Sequence, residues 1–177
     1  STSRDTIENT YSVQVEKSTI LNPQITLSSY GVSANADITI TFTTGAIGAL
    51  NINTDKIYIN FSTGFSLPTS ISASSIKVNN ITVLHVYRHS YSIDITTPVN
   101  IPVNSLVTVT IDKSAGIKSP SAIGSYKISV YTTKETTPIE SETFNIVALP
   151  TTTAIVSPSK PNGNNEYYIT APKVTLS

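Results

Sequence analysis

Apolar side chains alternate with hydroxyl-bearing or charged ones along much of this chain. Residues 38–43 place Ile38, Ile40 and Phe42 on one side and threonines on the other. Successive side chains of a β-strand point to opposite faces, so the pattern predicts a strand with one buried and one solvated face. The alternation recurs with three further apolar sets: Ile57, Ile59 and Phe61; Val107, Val109 and Ile111; and Tyr126, Ile128 and Val130.

Shorter alternating stretches, with turn-forming residues between them, extend this pattern along the chain. Asn, Asp, Ser, Pro and Gly favour turns and separate the stretches. Only residues 70–75 are expected to form a turn of helix. Parallel strands need long, usually helical crossovers, so we predict an all-β fold, an immunoglobulin-like or fibronectin-III-like antiparallel β-sandwich. The shorter predicted strands are residues 76–78, 81–86, 91–95 and 143–147.

The start of the chain repeats the order of residue types found near its end. Residues 2–13 echo residues 132–146, with small gaps in the match. An internal repeat of this kind is typical of stacked modules. We therefore predict that residues 1–17 are the last strand of a preceding module or an N-terminal donor strand. Residues 18–148 are the predicted β-sandwich, and residues 149–177 a linker and the start of a following immunoglobulin-like module.

The composition argues against two classes of partner. Charged residues make up 12% of the chain, eleven basic and eleven acidic, with no run of either sign. A protein that binds nucleic acid usually carries a basic stripe, so we expect no nucleic-acid partner. No apolar stretch approaches the ~20 residues that a membrane-spanning helix needs, so we expect no membrane span. Cysteine is absent, which does not fix a redox compartment.

Several short motifs within residues 6–176 occur in a fixed order along the chain and can be compared with known repeats as one series. They are residues 57–61, Gly64-Phe65, Leu67-Pro68, Ile71, Ile76-Lys77-Val78-Asn79, Val107-Thr108-Val109, Ala115-Gly116-Ile117, Pro120, Gly124-Ser125-Tyr126 and residues 136–141. This series resembles a repeat found in clostridial-type (Gram-positive) S-layer and cell-surface proteins. Residues 161–168 and 171–176 are similar to the opening of another immunoglobulin-like module of secreted proteins. The resemblance implies an extracellular module at the cell surface or cell wall, acting as a spacer or in an array.

The two histidines are the first candidates for catalysis. Positions four apart on a strand share a face, so His85 and His89 could together hold a metal. Residues 88–90, however, lie where a hairpin is expected to turn, and no carboxylate or cysteine is near in sequence. Glu140 and Glu142 share one face of a predicted edge strand, where charges discourage pairing with other chains. We predict no catalytic residue and no enzyme activity.

One loop resembles the start of a calcium-binding loop. Asn51, Asn53 and Asp55 offer oxygen ligands at alternate positions. The central glycine and the distal glutamate of such a loop are missing. Our main expectation is therefore that the chain has no cofactor, with calcium as the alternative.

Tyrosines supply the other candidate contacts. Tyr58 faces away from the apolar set of its strand, and Tyr87 and Tyr91 lie beside a predicted hairpin. Aromatic rings of this kind contact sugar rings or protein partners. Tyr126 is instead predicted to bond the backbone across the sandwich, as in a tyrosine corner.

These observations lead to one main function and two alternatives. We expect a non-enzymatic structural or spacer module of an extracellular, S-layer-type repeat protein, with neighbouring modules as its partners. The first alternative is a filament subunit in which residues 1–17 add a strand to an identical subunit. The second is a carbohydrate-binding accessory module, with a cell-wall or other polysaccharide as partner.

Overall fold

The structure, a computed structural model, describes residues 18–149 and 154–176. The chain divides between Val147 and Ala148 into two compact units. The predictions for residues 1–17, a last strand or a donor strand, lie outside the described residues. The strands of the first unit are, in chain order, β1 Leu21–Leu27, β2 Ile38–Thr43, β3 Lys56–Phe61, β4 Ile76–Val78, β5 Ile81–Thr82, β6 Val86–Arg88, β7 Ser92–Thr96, β8 Leu106–Ile111, β9 Gly124–Tyr126, β10 Ile128–Thr132, β11 Ile139–Glu140 and β12 Phe144–Ile146.

Ten of these strands form two five-stranded sheets. The strand order is β1-β2-β8-β4-β5 in the first sheet and β11-β10-β3-β7-β6 in the second. Every pairing between neighbouring strands is antiparallel. Strands β9 and β12 pair with each other and form a separate two-stranded sheet. In the chain, β9 precedes β10 and β12 follows β11. The predicted all-β, antiparallel fold is confirmed.

Helices in the described residues are short 3₁₀ turns. Two lie in the first unit, Ala73–Ser75 and Lys113–Ala115. The first falls within the stretch 70–75 where a helical turn was expected. None of the helices described is long and apolar enough to cross a membrane.

The core lies between the two sheets and is built from the alternating apolar residues. Ile40 and Val109 of the first sheet are fully buried, as are Ile59 and Val130 of the second. Thr41, Thr108, Tyr58 and Tyr131, at outward positions of these strands, are only partly buried. Burial of one face of each sheet removes apolar surface from water, which is the main favourable contribution to folding.

Two predicted strands are divided in the structure, and one strand was missed. The predicted strand with Tyr126, Ile128 and Val130 is divided at Lys127, because β9 pairs with β12 and β10 pairs with β3. Residues 81–86 do not form one strand, because β5 pairs with β4 in the first sheet and β6 pairs with β7 in the second. The chain changes sheets between them.

Strand β1 was not predicted, because Asn-Pro is typical of a turn and proline lacks the amide that a strand ladder uses. In the structure Pro23 is buried and Asn22 takes a positive backbone φ. The register of β1 with β2 shifts at this point.

Two finer predictions concern the hydrogen bond of Tyr126 and the type of β-sandwich. The Tyr126 hydroxyl donates to the Ala122 carbonyl at 3.0 Å, four residues upstream, and not across the sandwich as predicted. The immunoglobulin or fibronectin-III type stays a prediction. Immunoglobulin constant domains place four strands in one sheet and three in the other, whereas the sheets here have five strands each.

The second unit is a two-stranded hairpin. Strand β13, Ala154–Ser157, pairs antiparallel with β14, Lys173–Leu176. Ile155 and Val174 are each more than half exposed. An isolated two-stranded hairpin is at best marginally stable in water, since it has no third strand or helix to cover a face. That residues 149–177 begin a following module stays a prediction.

A buried carboxylate holds the loop between β2 and β3. The side chain of Glu135, in the turn after β10, is fully buried and accepts hydrogen bonds from the Gly45 amide at 3.1 and 3.0 Å. The Ser18 hydroxyl donates to the same carboxylate. We call this group of three residues the Glu135 latch. Hydrogen bonds to charged groups contribute about 1.5–3 kcal/mol each, so the latch fixes the start of the module to two loops.

Gly45→Ala is expected to lower the free energy of unfolding by about 1–3 kcal/mol, because there is no room for a methyl group at this position. A Cβ atom would lie 2.5 Å from the carbonyl oxygen of Thr19 and would also meet the Glu135 carboxylate. Urea denaturation of the full chain measures the change. Ala49→Ser, at an exposed position of the same loop, is the control and should change stability by less than about 0.5 kcal/mol. Equal stability of the two variants would contradict the role of the latch.

Candidate functional site

Four polar or aromatic residues form a row across the outer face of the second sheet. Tyr131 of β10 pairs with Tyr58 of β3, Tyr58 with Asp94 of β7, and Asp94 with Tyr87 of β6. We call these four residues the tyrosine–aspartate row. Tyr58, Tyr131 and Asp94 take outward positions because their strand neighbours, such as Ile59, point into the core. Tyr87 is exposed and joins the row by pairing with Asp94.

The rings of Tyr58 and Tyr131 stack face to face. Their centroids are 4.5 Å apart and their planes differ by 6°. This separation is close to the ~4.8 Å between neighbouring strands, so the stack runs across the strands and the rings stand upright on the sheet. Partial burial raises the pKa of the Tyr131 phenol, and Tyr58 and Asp94 raise it further. The pair therefore presents ring edges and hydroxyl groups to solvent.

Asp94 lies between two basic side chains. Its Oδ2 is 3.4 Å from the Lys56 ammonium and its Oδ1 is 2.9 Å from Nε2 of His89. The Lys56 ammonium also lies 4.8 Å from the centroid of the Tyr87 ring, within range of a cation–π interaction. The Asp94 side chain is only 13% exposed, so these contacts occupy both of its oxygens.

The geometry brings together two of the three predicted tyrosines. Tyr58 and Tyr87 share the tyrosine–aspartate row, but Tyr131 covers one face of Tyr58 and Lys56 lies over the Tyr87 ring. Tyr91 lies elsewhere, in a shallow groove that Phe65, Leu67 and Arg88 also line. A sugar ring stacks on the open face of an aromatic ring, so these arrangements leave little room for it at Tyr58. A sugar or partner contact at the three tyrosines stays a prediction.

In the predicted calcium loop, the Asp55 side chain forms hydrogen bonds with other groups of the protein. Asp55 accepts a hydrogen bond from the Asn51 amide at 2.8 Å and one from the Thr133 hydroxyl at 2.7 Å. The Lys134 ammonium is 3.4 Å from the same carboxylate. Asn53 takes a left-handed backbone conformation in the turn. Both Asp55 oxygens thus have protein donors, and a cation there would compete with Lys134. Calcium at these residues stays a prediction.

The histidines have different surroundings. His89 pairs with Asp94, whereas the His85 ring stacks near the Tyr87 ring at 6.5 Å. In the part of the chain that the structure describes, no three His, Cys, Asp or Glu side chains come together as a metal site would require. Residues 89–91 connect β6 and β7, so the turn lies one residue later than the predicted stretch 88–90, because Arg88 belongs to β6.

Of the two glutamates predicted to share one face of an edge strand, Glu140 lies in β11 at an edge of the second sheet, whereas Glu142 lies beyond the end of that strand. Strand β11 has two residues, and the Glu140 carboxylate is 2.9 Å from the Lys127 ammonium. The hydrogen bond and charge of Glu140 raise the pKa of Lys127. Both side chains are largely exposed, so this ion pair contributes little to stability. It does place charges along an edge, where they discourage pairing with other strands.

Likenesses to known proteins were found among solved structures. No protein-family model matches the chain, and no curated protein matches it. Among solved structures, the chain is similar to the crystal structure of BslA, described as a bacterial hydrophobin. The two are 12% identical, the match covers 73% of this chain and 98% of the BslA chain, and the TM-score is 0.46. A likeness this distant carries no argument about function.

Asp55 is expected to make stability depend on pH in the acidic range. Burial raises the pKa of Asp55, but hydrogen bonds from Asn51 and Thr133 and the charge of Lys134 outweigh it and hold the pKa below the ordinary value of 3.8. A carboxylate with a lowered pKa in the folded state stabilises the fold above the pKa of the unfolded chain, and this stability is lost as the pH falls through the lowered value.

Asp55→Asn should therefore be less stable than the wild type at pH 7, and the difference should narrow below about pH 4. Urea denaturation at a series of pH values measures it. Glu142→Gln, at an exposed position between β11 and β12, is the control and should stay within about 0.5 kcal/mol of the wild type. A wild-type advantage over Asp55→Asn that stays constant down to the lowest pH would contradict the role given to Asp55.

Proposed function

We propose that residues 18–147 form a structural module that spaces neighbouring parts of an extracellular bacterial surface protein. The observation that carries this proposal is the path of the chain through the module. Within the described residues, the chain enters the two sheets at one end, at Ser18, and leaves at the opposite end, at Val147. Modules joined in this way extend a protein lengthwise.

The beginning of the module is held by the Glu135 latch. Ser18, the first described residue, donates to Glu135, whose carboxylate also binds the Gly45 amide. Glu135 follows β10, and Gly45 follows β2. The latch thus lies at the end of the sheets where β10 stops and β3 begins. We call this the entry end.

The other end of the module is held by a backbone ladder. The Val147 amide donates to the Tyr30 carbonyl at 2.9 Å, and the Val32 amide donates to the Val147 carbonyl at 3.0 Å. Residues 30–32 follow β1, whose seven residues span about 23 Å at ~3.3 Å each. The chain therefore leaves far from the entry end. We call this second position the exit end.

This arrangement suits a part that bears tension. A pull on both ends of the module runs along β1, and it loads the bonds of β1 with β2 and of Val147 with residues 30–32. Bonds that lie across the direction of pull must break together, and not one after another. Such a module keeps its length under load. The extracellular location rests on the resemblance of its motifs to surface-protein repeats.

A filament assembled by donor-strand exchange is less well supported. An incoming strand needs a sheet edge with many unpaired backbone groups. The edge strands β5 and β11 have two residues each and β6 has three, and β1 contains Pro23 and a register shift. Short and irregular edges discourage strand addition. Size-exclusion chromatography separates the proposals, since a spacer stays monomeric and a filament subunit assembles.

The spacer proposal is tested by pulling the full chain from its two termini in a single-molecule force experiment. We expect one abrupt event that releases about 45 nm, at ~3.6 Å per unfolded residue less the folded length. Val147→Pro removes the amide that donates to Tyr30 and should lower the unfolding force. Leu149→Pro, two residues on, is the matched control and should not.

Two results would contradict the proposal. The first is a gradual extension at low force with no single event, which would mean that the module does not hold its length. The second is an equal unfolding force for Val147→Pro and Leu149→Pro, which would mean that the exit-end ladder does not carry the load.

A further inference from the structure

A polar concavity of about 340 Å³ lies on the outer face of the first sheet. Its floor is a row of three paired residues: Thr39 of β2, Thr110 of β8 and Lys77 of β4. Its rim includes Ser74 and Ser114, which belong to the two 3₁₀ turns. Two carboxylates, Asp37 and Asp112, also line it, and we call the whole concavity the Asp37 pocket. The remaining lining residues are Ile38, Ser75 and Ile111.

Backbone amides fix the two carboxylates in place. Asp37 Oδ1 accepts from the Lys113 amide at 2.8 Å, and Asp112 Oδ1 accepts from the Ser114 amide at 2.7 Å. Hydrogen bonds from the side chain and backbone of Ser114 hold the pKa of Asp112 below its ordinary value, so this group is an acceptor at neutral pH. Asp37 Oδ2 has no donor in the part of the chain that the structure describes.

The charges around the Asp37 pocket nearly balance. Asp37 and Asp112 contribute two negative charges, and Lys77 with the neighbouring Lys113 contributes two positive ones. A net charge near zero favours neither a phosphate nor a lone metal cation. The lining instead mixes fixed acceptors, an ammonium donor and hydroxyl groups that both donate and accept. This combination suits a neutral ligand rich in hydroxyl groups.

We propose that the Asp37 pocket binds a ring of a neutral saccharide. Asp37 Oδ2 accepts from a sugar hydroxyl, the Lys77 ammonium donates to another, and the Thr39 and Thr110 hydroxyls bond a third along the floor. The volume lies at the lower end of the range for small-molecule sites, which fits a single sugar ring. The site is on the opposite sheet from the tyrosine–aspartate row, so it differs from the predicted contacts at Tyr58 and Tyr87.

The proposal goes beyond the spacer role and does not rest on it. A spacer that carries such a pocket attaches to polysaccharide while keeping its neighbours apart. Failure of saccharide binding would leave the force response unchanged, and a weak force response would leave binding unchanged. The two proposals are therefore tested separately.

Saturation-transfer NMR on the full chain tests the pocket, with cellotriose and chitotriose as the probes. We expect a saturable signal from at least one probe. Thr39→Val with Thr110→Val should weaken binding about tenfold or more, because valine keeps the shape and the strand preference of threonine but removes the hydroxyl. Asp37→Asn should weaken it by a similar factor, while asparagine can still accept the Lys113 amide.

The matched control is Thr41→Val with Thr108→Val. These two threonines pair on the same strands and outer face, one outward position from the pocket. Their replacement should leave binding unchanged. Circular dichroism of each variant checks that the fold is intact. The proposal is overturned if neither probe binds, if the control pair weakens binding as much as the pocket pair, or if binding disappears when EDTA removes divalent cations.

Discussion

The two sheets of this protein are stable only because each buries one face against the other. Residues such as Ile40 and Ile59 have no exposed surface, although each belongs to a strand that is half open to solvent. The period of two along each strand makes this possible, since the core uses every second side chain. The remaining side chains are free of the core. The tyrosine–aspartate row and the Asp37 pocket are both built from them, one on each sheet.

At the entry end, buried carboxylates hold the loop between β2 and β3 in place. Disulfides hold loops in place in many small domains. The chain has no cysteine. Glu135 binds the Gly45 amide, and Asp55 binds the Asn51 amide, so two buried carboxylates hold the loop between β2 and β3 at two points. Burial of a charged group costs free energy unless hydrogen bonds replace its lost water. Both groups have such bonds, so the loop between β2 and β3 is held in place beside Ser18.

The sequence predicts the strands well where alternation is regular, and the sites poorly. Strands β2, β3 and β8 follow from their apolar sets alone. Strand β1 does not, because Asn22 and Pro23 hide its pattern. Asp94 and Tyr131 were not singled out, although their outward positions in alternating strands were a usable signal. Asp94 and Tyr131 contact Tyr58 because β7 and β10 both pair with β3. The alternation within a strand does not determine which strands pair.

The central claim is that the chain enters and leaves the module at opposite ends. Double electron–electron resonance between spin labels at Leu21→Cys and Val147→Cys measures the distance between the two ends directly. Both residues are exposed, and the chain has no other cysteine. Val147 forms a β-bridge with Gly31. The length of chain from Leu21 through β1 to Gly31 therefore predicts a separation of about 25–35 Å between the two labels. A separation under about 15 Å would place both ends of the module together and contradict the account.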